Sequence, residues 1–383
     1  MLRSVTIKNY KSILDDTIEL GRINVFIGEN GCGKSNILEA LTFAAASMGG
    51  EASVEELYHR GIRVARPELM RSSFREAESG GPDVVVTCDF GDEKTEFRLR
   101  EREPGSITSD WESESAETEW RRIRELLEQL ELVHRAELLP LPPKLRRAFG
   151  RLRSQALKFQ FSSFVIFNAN ILALRGLEVF SRREPLGIHG EGLDVLLGTL
   201  SDEEFAAVDE AMQCIRWVKS VELDKEGEHR FQGFKLGRSR SNLYFVDRFM
   251  ADDNNVFSAE SVNEGALYVL FYLALFSTRR TPSIFGIDNI DTALNPQLCR
   301  DLIKQVAILA KRTEKQALIT THNPAILDGL NLRDEDQRLF VVYRTDEGYT
   351  RTRRIKVKPD APEPLKLSEL WMRGYLGGLP QGF

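Results

Sequence analysis

"INVFIGENGCGKSNILEAL", residues 23–41, decides how this chain folds. An apolar run of strand length, Ile23-Asn24-Val25-Phe26-Ile27, passes straight into a glycine loop. "NILEALTFAAASM" then places Ile37, Leu38, Leu41 and Phe43-Ala44 at helical spacing. The order is strand, glycine loop, helix. The loop matches G-x-x-x-x-G-K-[ST], with Gly28, Gly33, Lys34 and Ser35 in the defining positions. Glycines let the backbone wrap a phosphate. The amides of Asn30, Gly31, Cys32 and Gly33, and of Lys34, Ser35 and Asn36 at the helix start, then point at the anion. Lys34 supplies charge at the β- and γ-phosphates, and the Ser35 hydroxyl is a magnesium ligand. ATP with Mg2+ is the expected ligand. Cys32 is either a small loop residue or a redox-sensitive thiol at a helix N-terminus.

A second apolar strand, Ile284-Phe285-Gly286-Ile287, ends in Asp288, a carboxylate suited to magnesium, mostly through water. ATPases that hydrolyse quickly usually carry a glutamate next, to activate water. Here Asn289 follows, and an amide cannot take a proton; losing a general base costs roughly 10²–10⁴-fold in rate. Asp291 is the nearest alternative base. A third strand in "LITTHNPAIL" ends at His322, which can hydrogen-bond a γ-phosphate or be a plain surface histidine. "SVNEGALYVLFYLALF" (261–276) leads from a short polar segment into a strongly apolar helix. That helix start could meet a phosphate. Its own glycine loop lies elsewhere in the fold, so the nucleotide of a second subunit is the simplest fit.

Elsewhere, "LRSVTIKNY" and "DTIEL" read as antiparallel strands, and 83–90 and 95–103 as a hairpin around Gly91-Asp92. Residues 110–135 are acidic and helical in pattern. After Pro140, Pro142 and Pro143, residues 144–158 are basic, so 110–158 reads as an inserted helical hairpin, either solvated or a docking surface. Residues 202–223 read as an amphipathic helix, and "SSFVIFNAN", "FQGFKLG" and "NLYFVDRFM" as strands. The final third reads as helix 259–278, strand 283–288, helix 296–311, strand 316–320, helix 323–330 and a closing hairpin turning at Asp346-Glu347-Gly348. That alternation is the mark of a sheet covered by helices on both faces. The closing hairpin carries Arg344, Arg351, Arg353, Arg354, Lys356 and Lys358, which either track a phosphate backbone or form a solvated face.

The chain has 383 residues, 42% apolar and 29% charged, with a net charge of −6, so global charge does not favour nucleic acid. No run is apolar enough to span a bilayer and no secretory leader is evident. Four scattered cysteines, Cys32, Cys88, Cys214 and Cys299, argue against a disulfide framework or a zinc site and fit a cytoplasmic location.

The order "IKNYKSI", "INVFIGENGCGKSNILEAL", "VNEGA", "IDNIDTALNP", "THNP" resembles the ABC-type ATPase head of the SMC, RecF and OLD-like group. It resembles especially the small ATPases of bacterial phage-defence systems such as PARIS and Septu, whose tail "LSELWMRGYLGGLPQGF" also matches. The resemblance covers about 1–50 and 257–383. It implies an α/β P-loop NTPase head: a mixed sheet flanked by helices plus an antiparallel N-terminal sheet, with an inserted helical hairpin. The ATPase core would be 1–109 with 257–383, and 110–256 a helical insertion and lid-like region. It also implies a head-to-tail dimer with ATP sandwiched between subunits, with higher oligomers open. Asn263, Glu264 and Gly265 then become the signature, Asp288 and His322 the Walker B and switch residues, and "TALN" (292–295) the D-loop. Asn263 replaces the usual signature serine, and no Q-loop glutamine is identifiable. The expected function is a slow, ATP-gated ATPase that scaffolds or controls a separate effector, such as a nuclease, in antiphage defence. The alternative is a RecF-like repair ATPase that clamps DNA in its ATP-bound state.

Overall fold

The computed structural model describes residues 1–74, 83–91, 93–103, 110–113, 155–178, 185–224, 239–357 and 366–378. In chain order the strands are β1 (Ser4–Tyr10), β2 (Ile13–Glu19), β3 (Ile23–Ile27), β4 (Val84–Asp89), β5 (Lys94–Glu101), β6 (Trp111–Ser113) and β7 (Ile166–Phe167). They continue with β8 (Val218–Leu223), β9 (Leu243–Asp247), β10 (Val256–Ser258), β11 (Ile284–Ile287), β12 (Gln316–Thr320), β13 (Gln337–Arg344) and β14 (Thr350–Ile355).

The central sheet has the order β14-β13-β3-β12-β11-β7, parallel except for β14, which returns antiparallel from β13. All five residues of β3, β12 and all four of β11 are buried, as expected of strands covered on both faces. Asn24 is polar in the middle of β3 and tolerated because its amide is paired. It accepts from Gly21 N–H (2.7 Å) and donates to the carbonyls of Gly21 (2.9 Å) and Ala317 (3.1 Å). One face carries the glycine-loop helix Lys34–Met48. The other carries the helix Glu264–Ser277, buried through nearly its whole length, and the amphipathic helix Pro296–Arg312. Asn295 caps that last helix through a 3.0 Å bond from Leu298 N–H, and Pro296 sits in its first turn, where no N–H is needed. The antiparallel N-terminal sheet, β2-β1-β4-β5-β6, closes over the glycine-loop helix. A third sheet, β10-β9-β8, leads into the Glu264 helix. The expected P-loop architecture, with its mixed and antiparallel sheets, is therefore present.

Four local readings are corrected. Residues 111–113 are a strand paired with β5, and Trp111 is buried against Phe43, so the helical reading fails at its start. The helix 202–223 stops at Met212, and Val218–Leu223 becomes β8. The helix expected from 259 begins at Glu264, after the Asn263 cap. Residues 324–329 form a 3₁₀ rather than an α segment. The charged arms at 114–154, the FQGFKLG stretch, Asp92 and Lys358 lie outside the described residues. Within 110–256, β6 and β7 belong to the N-terminal and central sheets.

Candidate nucleotide site

β3 delivers the chain to the loop at Gly28. Two of the loop glycines are required by space. A β-carbon on Gly28 would lie 2.2 Å from the Val342 carbonyl, and one on Gly33 would lie 2.3 Å from Thr350 Oγ1. Gly33 also has φ +109, a left-handed backbone that glycine alone takes without strain. The loop is braced from outside. Thr350 Oγ1 sits 2.7 Å from both Ser12 Oγ and the Cys32 carbonyl, Asn36 donates to Ser12 Oγ (2.7 Å), and Arg344 donates to the Gly31 carbonyl (3.1 Å). Asn30 and Gly31 form the exposed tip.

Lys34 is 5% exposed, and its Nζ donates to the carbonyls of Gly28 and Glu29, each at 2.9 Å. Among the described residues no carboxylate pairs with it. Burial lowers its pKa, opposed by Cys32 and Asp288. A buried lysine without a counter-ion suits an anionic ligand. Cys32 is 1% exposed and burial pushes its thiol pKa up, which speaks against the reactive-thiolate reading.

Ser35 Oγ lies 3.1 Å from both carboxylate oxygens of Asp288, bringing together residues 253 positions apart. Asp288 is fixed on two sides: its N–H donates to the Phe167 carbonyl of β7 (2.9 Å), and Thr320 at the end of β12 donates to Oδ1 (2.5 Å). A hydroxyl beside a carboxylate is a hard oxygen donor set that fits magnesium. Among the described residues no cluster of three His, Cys, Asp or Glu could cage a metal.

Asn289 adopts φ +57, and its N–H donates to Thr320 Oγ1 (2.9 Å). Asp291 Oδ1 accepts from the Thr321 hydroxyl (2.7 Å) and from His322 N–H (3.3 Å), tying this turn to the end of the next strand. The pKa of His322 is lowered by burial and by the Lys34 charge, against Asp291 and Asp288, so it shares the field of this site. Ala293, in the "TALN" turn, also holds a left-handed φ of +58. Its carbonyl would lie 3.6 Å from a β-carbon on Gly265. Asn263 caps the helix that follows, accepting from Ala266 N–H (3.0 Å), and Asn263 and Glu264 are exposed. No hydrogen bond or ion pair joins 263–265 to 28–36 among the described residues.

Several neighbours of the site escaped the sequence reading. Glu39, buried in the glycine-loop helix, receives Lys11 Nζ (2.5 Å) and Arg63 Nε (2.8 Å). Arg63 keeps a largely exposed guanidinium. Its pKa is raised: burial opposes the shift, Glu39 outweighs burial, and Asp288 adds to it. Asn168 is exposed at the end of β7, one residue past the carbonyl that holds Asp288. The basic closing hairpin is largely paired. Arg354 meets Glu335 and Glu19, Arg351 meets Asp16, and Arg353 donates to the Leu376 carbonyl.

A family model described as "AAA domain, putative AbiEii toxin, Type IV TA system" matches residues 23–328. The DNA replication and repair protein RecF of Bacteroides thetaiotaomicron is 28% identical over 106 residues. That match spans 27% of this chain and 27% of that relative. Among solved structures, an SMC head bound to the C-winged helix domain of ScpA superposes with a TM-score of 0.56 at 14% identity, covering 93% of this chain and 98% of that one. The Smc head of Pyrococcus yayanosii, with its coiled coil and joint, gives 0.52 at 12%, covering 98% and 99%. The fold is that of the SMC-type head.

Proposed function

The chain belongs to the AAA-domain family of that description, an ATPase family, and from this premise we propose that it is an ATP-binding switch with slow turnover. The observation that carries the reading is the 3.1 Å approach of Ser35 Oγ to Asp288 beside a buried Lys34 that meets no carboxylate among the described residues. In this proposal the 28–36 amides and Lys34 hold the phosphates, and Ser35 and Asp288 hold magnesium, which would neutralise phosphate charge when bound. Arg63 and His322 face the terminal phosphate, and Asn168 stands where a Q-loop side chain would act. Asn289 orients water without taking its proton. Asp291 is already engaged by Thr321 and His322, which weakens it as a substitute base.

The exposed start of the Glu264 helix, with Asn263, Glu264 and Gly265, meets the nucleotide of a second copy, giving a head-to-tail dimer. The core is 1–109 with 257–383 together with β6 and β7, which complete its sheets, and the rest of 110–256 serves as the lid-like, partner-facing region. The closed dimer scaffolds or restrains a separate effector such as a nuclease, in the cytoplasm, as an antiphage device. The four cysteines are all free, and among the described residues no helix is long and apolar enough to cross a membrane. The test is steady-state ATP hydrolysis beside Asn289→Glu and Asp291→Asn. Near-silent wild type, awakened by Asn289→Glu, is expected. Wild-type turnover of about 1 s⁻¹ or more, abolished by Asp291→Asn, would sink the slow-switch reading.

A second reading is favoured by the RecF match: a clamp that grips DNA when ATP-bound. Salt-dependent duplex binding by the purified chain would support it. The pairing of Arg351, Arg353 and Arg354 weighs against the closing hairpin as the contact surface.

A further inference from the structure

The short helix Leu367–Met372 and the residues after it touch both loops that border the nucleotide site. At one end Ser368 binds Asp328 twice: its N–H donates to Oδ1 (3.0 Å) and its hydroxyl to Oδ2 (2.8 Å). Asp328 lies in the 3₁₀ segment Pro324–Gly329, which starts two residues after His322. At the other end, a β-carbon on Gly378 would come within 2.6 Å of Val341 Cγ1 and 3.5 Å of Gly28 Cα, the first residue of the phosphate loop. Gly377 and Gly378 run at φ +69 and +72, a left-handed path that lets the chain come this close. Between the two ends the segment is anchored. Trp371 and Leu376 are buried in the main core, and Arg353 donates to the Leu376 carbonyl (2.6 Å). The Gly28 carbonyl in turn receives Lys34 Nζ, so a displacement of Gly28 is felt at the phosphate-binding lysine.

We propose that residues 367–378 act as a positioning clamp, holding Gly28 and the segment behind His322 in one geometry. The clamp rests on the nucleotide-binding reading above. Its two ends predict two separable effects. Crowding Gly378 presses on Val341, which pairs with Ile27 beside Gly28, and through that strand pair displaces the phosphate loop and weakens ATP binding. Releasing Asp328 frees the His322 segment and slows turnover at saturating ATP.

The test uses the full chain with Gly378→Val, Ser368→Ala and Ser368→Thr. It measures affinity for a fluorescent ATP analogue with magnesium, single-turnover hydrolysis, and amide exchange of 28–35 and 322–329 without nucleotide. Gly378→Val is expected to weaken binding by about tenfold. Ser368→Ala is expected to slow hydrolysis with affinity held, and Ser368→Thr to restore it. Each damaging variant should speed exchange several-fold in its own loop and not in the other. Unchanged binding, turnover and exchange would overturn the clamp. So would a general rise in exchange across the whole protein, the mark of a merely structural tail. Wild type that binds no nucleotide would fault the nucleotide reading instead, and loop-specific exchange would then decide the clamp by itself.

Discussion

Two helix N-termini in this molecule carry the proposed phosphate contacts, and they are in opposite condition. At Lys34–Met48 the loop, the lysine, Ser35 and Asp288 are already in contact, with Asp288 braced from both β7 and β12. At Glu264–Ser277 the helix is equally well buried along its length, yet its first residues are exposed, and Asn263 is engaged in capping Ala266 N–H. Both ends offer unpaired amides and the positive pole of a helix dipole. The first has its phosphate and magnesium groups already assembled within one chain. The second has no hydrogen bond or ion pair to residues 28–36 among the described residues, as the proposed shared site requires of a single chain.

The largest expected effect sharpens the first half-site. Asn289→Glu restores a proton acceptor beside Asp288 and should raise turnover by up to roughly 10²–10⁴-fold, read as phosphate release. Lys34→Ala removes charge-assisted bonds worth roughly 1.5–3 kcal/mol each and should weaken ATP binding by about a hundredfold in calorimetry. Gly265→Asp places negative charge at the second helix start. It should leave nucleotide affinity of the monomer within about twofold while removing ATP-dependent dimer formation in light scattering, since like charges repel across a phosphate contact.

The smallest effect lies away from both. Lys315 is buried under Phe285, its Nζ donating to the Thr281 carbonyl, Thr281 Oγ1 and the Pro282 carbonyl. Burial lowers its pKa to about 7. The unfolded chain, with an ordinary lysine, binds the extra proton between that value and about 10.4. Stability should therefore rise with pH across this window, by at most about 1.4 kcal/mol per unit, and be lost as pH falls back toward 7. Lys315→Met should flatten that slope in denaturant titrations.

What was legible in the sequence was local. The glycine loop, Asp288 at a strand end and the Asn263 cap each depend on a few consecutive residues. The partners were not legible. Thr320, Asn168, Glu39 and Arg63 reach the site through sheet order and helix packing, for which one sequence carries no spacing rule. Strands as short as Trp111–Ser113 and Ile166–Phe167 hold too few residues to show an alternation. The misread stretch 202–223 has a specific cause: Phe205, Val208, Ala211, Ile215, Val218 and Val221 are spaced by three or four, which looks helical. The chain nonetheless breaks after Met212, and β8 pairs with β9.

The most direct test of a shared site mixes two disabled proteins. Lys34→Ala keeps a sound signature end, and Gly265→Asp keeps a sound phosphate loop. Each alone should fail to form an ATP-dependent dimer in light scattering. Mixed, they should form a heterodimer with one intact composite site, and ATP-dependent association should return. If the mixture stays monomeric while wild type dimerises with ATP, or if wild type binds ATP and never dimerises, the two helix ends do not share a nucleotide and the account is wrong.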